Sequence, residues 1–170
     1  MRYRRSYVAG GTYFFTVNLL ERDKSLLVDY IEVLREAVRW VKVRRPFDID
    51  AWVVLPDHMH AVWTLPEGDA EYSLRWREIK KRFSKAMPKT ERLSVVRKAK
   101  GERGIWQRRF WEHTIRDEKD YQYHVDYVHL NPLKHGLVNR VRDWPLSSFH
   151  KAVKMGIYDN SWCGDGSVLQ

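Results

Sequence analysis

Residues 58–65, HMHAVWTL, follow Pro56-Asp57 and constrain the fold more than any other stretch. On a strand, residues two apart share a face and successive residues alternate. His58, His60, Val62 and Thr64 therefore project together, while Met59, Ala61, Trp63 and Leu65 project the other way. The second set is apolar and suits a layer of helices. The histidine side is left for a further element.

The neighbouring segments supply such layers. Residues 12–20, TYFFTVNLL, read as a strand rich in β-branched and aromatic residues. Ser25 is placed to cap a helix, and Leu27, Ile31, Leu34, Val38 and Val41 recur at steps of four and three until Arg44-Arg45-Pro46. Residues 47–55, FDIDAWVVL, form a strand that joins 58–65 as a hairpin through Pro56-Asp57. Pro66 to Asp69 is a loop. A helix begins at Ser73 with Trp76, Ile79, Phe83 and Ala86 on one face and most of its basic residues on the others. Residues 88–104 read as an open basic loop, and 109–115, RFWEHTI, as a fourth strand. Asp117 caps a helix over about 118–130, closed by Asn131-Pro132 and then His135-Gly136. Trp144-Pro145 opens a short final element. The order β-α-β-β-α-β plus a helix predicts an α+β, ferredoxin-like split βαβ fold. Its antiparallel sheet has four strands, or five, with two helices on one face and a C-terminal tyrosine-bearing helix on the other.

The length of 170 residues suits one domain. A single cysteine, Cys163, forms no internal disulfide and no C-x-x-C zinc module. The apolar runs are too short to span a membrane, and the basic start Met1-Arg2-Tyr3-Arg4-Arg5 lacks the apolar stretch of a secretory signal. A cytosolic protein, at the bacterial nucleoid, is expected. The net charge of +9 is concentrated: residues 75–109 hold fourteen Lys and Arg against three acids, so this segment carries +11 and the rest −2. A solvated helix face with a flexible loop accounts for it plainly. A surface that tracks phosphates is the functional reading, with Trp76, Phe83 and Trp106 interspersed. Lys80, Lys81 and Lys85 lie beside the apolar stripe of that helix and are open to such contacts.

Two imidazoles in register on a strand can form part of a divalent-metal site, or can simply be sheet histidines. In the helix that follows Asp117, Tyr123, Tyr127 and Asn131 fall at i, i+4 and i+8, with His124 alongside. Such a helix ordinarily packs through its rings. Together with a metal, however, a tyrosine hydroxyl can attack a phosphodiester, Asn131 can complete the coordination, and the basic segment can hold the strand being cut. Glu112 and His113 point to opposite faces of the fourth strand, so neither is expected to be an indispensable ligand.

The sequence PDHMH at 56–60 resembles the HUH motif of single-tyrosine transposases, and DYVHLNPLKHGLV at 126–138 resembles the Y-x-x-x-N-P-x-K-x-G-L-V signature of REP-associated tyrosine transposases. The runs FWEHTIRDEKD at 110–120 and DWPLSSFH at 143–150 are similar to the same group. Four separated blocks occur in order across residues 3–153.

The resemblance implies one transposase domain over 1–153, with a DNA-binding segment at 75–109 and a C-terminal tail at 154–170. It implies Tyr127 as nucleophile and His58 and His60 as metal ligands. Asn131 stands where related insertion-sequence enzymes carry a glutamine as third ligand. Mg²⁺ or Mn²⁺ is the implied cofactor. The implied partner is single-stranded or hairpin DNA of REP-like palindromes, cut through a 5′-phosphotyrosine that frees a 3′-OH. Arg75, Arg77, Lys80, Lys81, Arg82, Lys85, Arg108 and Arg109 are the candidate DNA contacts. Members of the group are expected to act as monomers, whereas insertion-sequence relatives are dimers that exchange the tyrosine helix. Two other classes stay open: a hairpin-binding protein without chemistry, and a metal-dependent hydrolytic nuclease without a covalent step.

Overall fold

Strand β1, Thr12–Asn18, shows why the sheet needs two covers: Tyr13, Phe15 and Val17 are buried in one apolar layer and Phe14 in another. The computed structural model describes residues 4–163; the first three residues of the basic amino terminus and residues 164–170 of the tail lie outside them.

The single helix expected after Ser25 is two: α1, Leu26–Asp29, and α2, Ile31–Arg44. Tyr30, at φ −116° and ψ 36°, leaves the helical region between them. Ser25 makes no side-chain cap, and its hydroxyl instead donates to Asp29 Oδ2 at 3.0 Å. Leu27, Leu34 and Val41 all reach the same core, so the apolar stripe runs across the break without reporting it. Strands β2, Asp48–Val54, and β3, His58–Thr64, form the expected hairpin.

Helix α3, Tyr72–Ala86, buries Trp76, Ile79 and Phe83. Ala86 is exposed, and Met87 fills the next core position. The open loop expected at 88–104 contains α4, Val95–Ala99, capped by Ser94, whose hydroxyl accepts the Arg97 N–H. Val95 and Val96 of this short helix are exposed, so no apolar periodicity marks it.

After β4, Trp111–Thr114, comes α5, Glu118–Lys134, capped by Asp117 as expected. It does not stop at Asn131-Pro132. Pro132 removes one backbone donor from the ladder, yet the helix continues because Val125, Val128, His129, Asn131 and Pro132 are buried. The Gly136 turn closes it: the Gly136 N–H donates to the Leu133 carbonyl and the Leu137 N–H to that of Pro132, both at 3.0 Å, with Gly136 at φ 70°. A 3-10 turn, Val141–Asp143, and α6, Phe149–Lys154, follow. Beyond α6, Tyr158 donates its hydroxyl to Asp126 of α5, and Cys163 is buried against Phe149 and Val141.

The strand order is β2-β3-β1-β4, with antiparallel neighbours. This is the ferredoxin-like arrangement, with four strands among the described residues; Ser147 adds one isolated bridge to Val53. Helices α2 and α3 cover Tyr13, Phe15, Met59, Ala61 and Trp63, while α5 covers Phe14, Val53 and Val62. Among the described residues, no helix is long and apolar enough to cross a membrane.

Trp63 of β3 and Trp76 of α3 stack at 4.1 Å and are both fully buried. Trp63→Ala is expected to destabilise the fold by about 3–5 kcal/mol, since it loses apolar burial and leaves a cavity. Urea unfolding with an unchanged slope and a lower midpoint checks this.

Candidate active site

The β1/β3 register sets the histidine pair. Thr16 lies opposite His60, and Asn18 opposite His58. Thr16 Oγ1 is 2.8 Å from His60 Nδ1, and Asp57 Oδ1 is 2.7 Å from His58 Nδ1. Asp57 is itself held by Arg22. Nδ1 is thus engaged on each ring, and the Asn131 side chain also bears on His60. The rings lie 5.0 Å apart, nearly perpendicular.

Burial pushes His60 down to about 3, and the charges of His58, His135 and Lys134 act the same way. Burial also lowers His58, against the opposing pull of Asp57. Both rings are therefore neutral at pH 7, the form that ligates a metal.

Helix α5 lies over this pair. The Tyr127 ring is half-buried, 5.4 Å from His60 and 5.7 Å from Phe14. Asn131 is fully buried and adjoins His60. Its Nδ2 donates to the Tyr127 carbonyl at 2.8 Å, while its Oδ1 is buried without a hydrogen-bond partner. Tyr123, one turn earlier, is 64% exposed and stands against His124 instead. The structure thus separates two tyrosines that share a face in sequence.

Two residues from the end of α5, the signature lysine and the histidine of the expected helix stop, join the site, a role that the sequence did not assign to them. Lys134 Nζ donates to Tyr127 Oη at 3.2 Å, and the His135 ring lies 5.0 Å from that of His58. Lys134 falls seven residues after Tyr127, nearly two helical turns, so it shares that face only if the helix passes through Pro132.

A second polar cluster lies across Phe14, whose ring contacts both His60 and His124. Here His113 Nε2 is 2.8 Å from Asp120 Oδ2, and His124 Nδ1 is 2.8 Å from the Asp120 carbonyl. Although burial raises it, the Arg116 N–H and His113 hold the Asp120 carboxyl down to about 2. The ligand atoms of the three lie within 4.8 Å of one another, and they satisfy each other as a clasp between β4 and the start of α5. Glu112, on the opposite face of β4, binds Arg5 at 2.8 Å. The expected opposition of Glu112 and His113 is what the structure shows.

The basic segment divides. Arg75 is 1% exposed: it donates to Asp69 and to the carbonyls of Arg45, Pro46 and Glu71, so it cannot meet a phosphate. Arg82 lies over Trp40, on the α2 side. The reading of Arg75 as a DNA contact is corrected, because charge alone does not reveal an internal partner; Arg82 is half-exposed and faces away from the groove that the other basic residues line. Arg77, Lys80, Lys81, Lys85 and Arg108 do line one groove of about 680 Å³ between α3 and residues 97–108. Lys80 is tethered to the Gln107 carbonyl at 3.0 Å, and burial pushes it down to about 8. Arg109 borders a second depression, with Arg5, Asn18, Gln107 and Trp111. Gln107 lines both, and its N–H donates to the Asn18 carbonyl at the His58 end of the sheet. The two basic depressions therefore meet at Gln107, near the end of β1 that pairs with His58.

If this groove tracks phosphates, each contact contributes about −0.7 to the log-log salt slope for single strands. Arg77, Lys81 and Lys85 are exposed and hold no ion pair among the described residues. Replacing all three with Gln is expected to flatten the slope by about two units and to weaken all DNA sequences alike. A salt titration of hairpin binding measures this; parallel lines for wild type and variant would remove α3 from the interface.

No protein-family model matches the chain. It is 54% identical over 163 residues to the REP-associated tyrosine transposase of Escherichia coli K12, covering 96% of this chain and 91% of that protein. A solved structure of the REP-associated tyrosine transposase bound to a REP hairpin superposes on it with a TM-score of 0.84. The two share 52% sequence identity, and the match covers 100% of this chain and 95% of that one.

Proposed function

The chain belongs to the REP-associated tyrosine transposase family, and on that premise we propose that it cuts and rejoins single-stranded DNA at palindromic hairpins through a 5′-phosphotyrosine on Tyr127. The observation that carries this reading is the placement of Tyr127 over His60, beside a buried Asn131 oxygen that lacks a partner. The hairpin bound in the related solved structure supports the substrate class. The basic groups lining the two depressions that meet at Gln107 suit the phosphates of a bound strand.

The residues fit a divalent cation. His58 and His60 offer neutral nitrogens oriented by Asp57 and Thr16, and Asn131 offers its unpartnered Oδ1. Mg²⁺ or Mn²⁺ bound there would polarise a phosphate oxygen and offset the charge that develops on it. Tyr127 Oη then forms a bond to phosphorus as the P–O3′ bond breaks, leaving the 5′-phosphate on the protein and a free 3′-OH. In this chain α5 packs on the sheet that carries the histidines and brings Tyr127 to His60.

The test is a labelled hairpin oligonucleotide incubated with protein and Mn²⁺ or Mg²⁺, then resolved in SDS. Cleavage with an SDS-resistant adduct is expected. Cleavage without an adduct would make the protein a hydrolytic nuclease. Binding without cleavage would make it a hairpin-binding protein.

A further inference from the structure

We propose that Lys134 is a catalytic residue whose ammonium holds the hydroxyl oxygen of Tyr127 and offsets the negative charge that this oxygen carries as nucleophile and as leaving group. The inference rests on Tyr127 being the nucleophile.

Lys134 is the last residue of α5. Its Nζ lies 3.2 Å from Tyr127 Oη and 4.7 Å from the ring centroid, so the cation meets both the oxygen and the π face. This is the one side-chain hydrogen bond to that hydroxyl among the described residues, and Lys134 forms no ion pair among them. A cation without a counter-charge is thus aimed at the nucleophilic atom. The other ionisable groups facing Tyr127 are His60 of β3, with His58 beyond it and His135 after α5. No carboxylate contacts the Tyr127 hydroxyl among the described residues.

In cleavage the phenol proton passes to solvent, the Oη–P bond forms as the P–O3′ bond breaks, and the 3′-oxygen takes a proton from solvent. Rejoining reverses this. An incoming 3′-hydroxyl gives its proton to solvent and bonds to phosphorus, and the P–Oη bond breaks, leaving charge on the tyrosine oxygen beside Lys134. Lys134 is exposed, and its ammonium held at that oxygen acts in both directions. Removing one such donor ordinarily costs about a hundredfold or more in rate.

The experiment follows adduct formation and rejoining in single turnover on a labelled hairpin, with protein saturating. Wild type, Tyr127→Phe, Lys134→Met and Lys134→Arg are compared, and hairpin affinity is measured for each. Lys134→Met is expected to slow both steps by about a hundredfold with affinity unchanged, and Lys134→Arg, which keeps the charge, to recover most of the rate. Wild-type rates in Lys134→Met would overturn the inference. So would a Lys134→Arg protein as slow as Lys134→Met, or a loss confined to affinity, which would make Lys134 a phosphate contact. No adduct in wild type, or an adduct that survives Tyr127→Phe, would overturn the assignment of Tyr127 and this inference with it. A Tyr127-dependent adduct indifferent to Lys134 overturns this inference alone.

Discussion

Replacing Tyr127 with phenylalanine is expected to abolish the covalent protein–DNA adduct while hairpin affinity stays at the wild-type level. Phenylalanine keeps the ring that packs against His60 and Phe14 and removes only the oxygen that bonds to phosphorus. Because no second tyrosine ring packs against His60 among the described residues, the loss should exceed about a thousandfold, at least about 4 kcal/mol of transition-state stabilisation. Tyr123→Phe serves as the matched control. That residue is exposed beside His124, so its hydroxyl is not directed at the histidine pair, and its replacement should leave the adduct intact. Gel resolution of labelled hairpin in SDS reads both variants. An adduct lost in Tyr123→Phe and kept in Tyr127→Phe would place the nucleophile one turn earlier on α5.

The second large effect concerns the ligands. His58→Ala and His60→Ala should each remove the stimulation of cleavage by Mg²⁺ or Mn²⁺, by about a hundredfold or more. A labile hard cation held by few protein groups does not survive the loss of one. Because the two rings act as a unit, the double variant should be little worse than either single one. Both variants should still bind the hairpin, since the exposed basic groups lie along α3 and in the two depressions that meet at Gln107. The measurement is cleavage rate against metal concentration for each protein. Wild-type cleavage that proceeds unchanged in excess EDTA would contradict the metal assignment.

The sheet was legible because alternation at 58–65 forces its own geometry: the apolar set met α2 and α3, and the histidine set met α5. Tyr127, His58, His60 and Asn131 then came together because spacing within one strand and one helix survives uncertainty about the rest of the chain. What escaped was set by tertiary packing. Local preference ends a helix before proline, but burial of Asn131 and Pro132 carries α5 one turn further, and only that turn delivers Lys134 to Tyr127. Likewise a tally of charge cannot distinguish Arg77, on the surface, from Arg75, which is bonded to three internal carbonyls and a carboxylate. Arg97 and Arg103 are held in the same way by backbone carbonyls. Part of the +11 segment therefore stabilises the fold, and the remainder faces the groove.

The most direct test is to locate the covalent bond. Wild-type protein is incubated with a hairpin oligonucleotide and Mn²⁺ and digested with nuclease and protease, and the nucleotide-bearing peptide is sequenced by mass spectrometry. The account predicts a 5′-phosphate esterified to Tyr127, with an equal amount of DNA fragment ending in a free 3′-OH. Cleaved DNA with no modified peptide, or a modification mapped to any other residue, would contradict it.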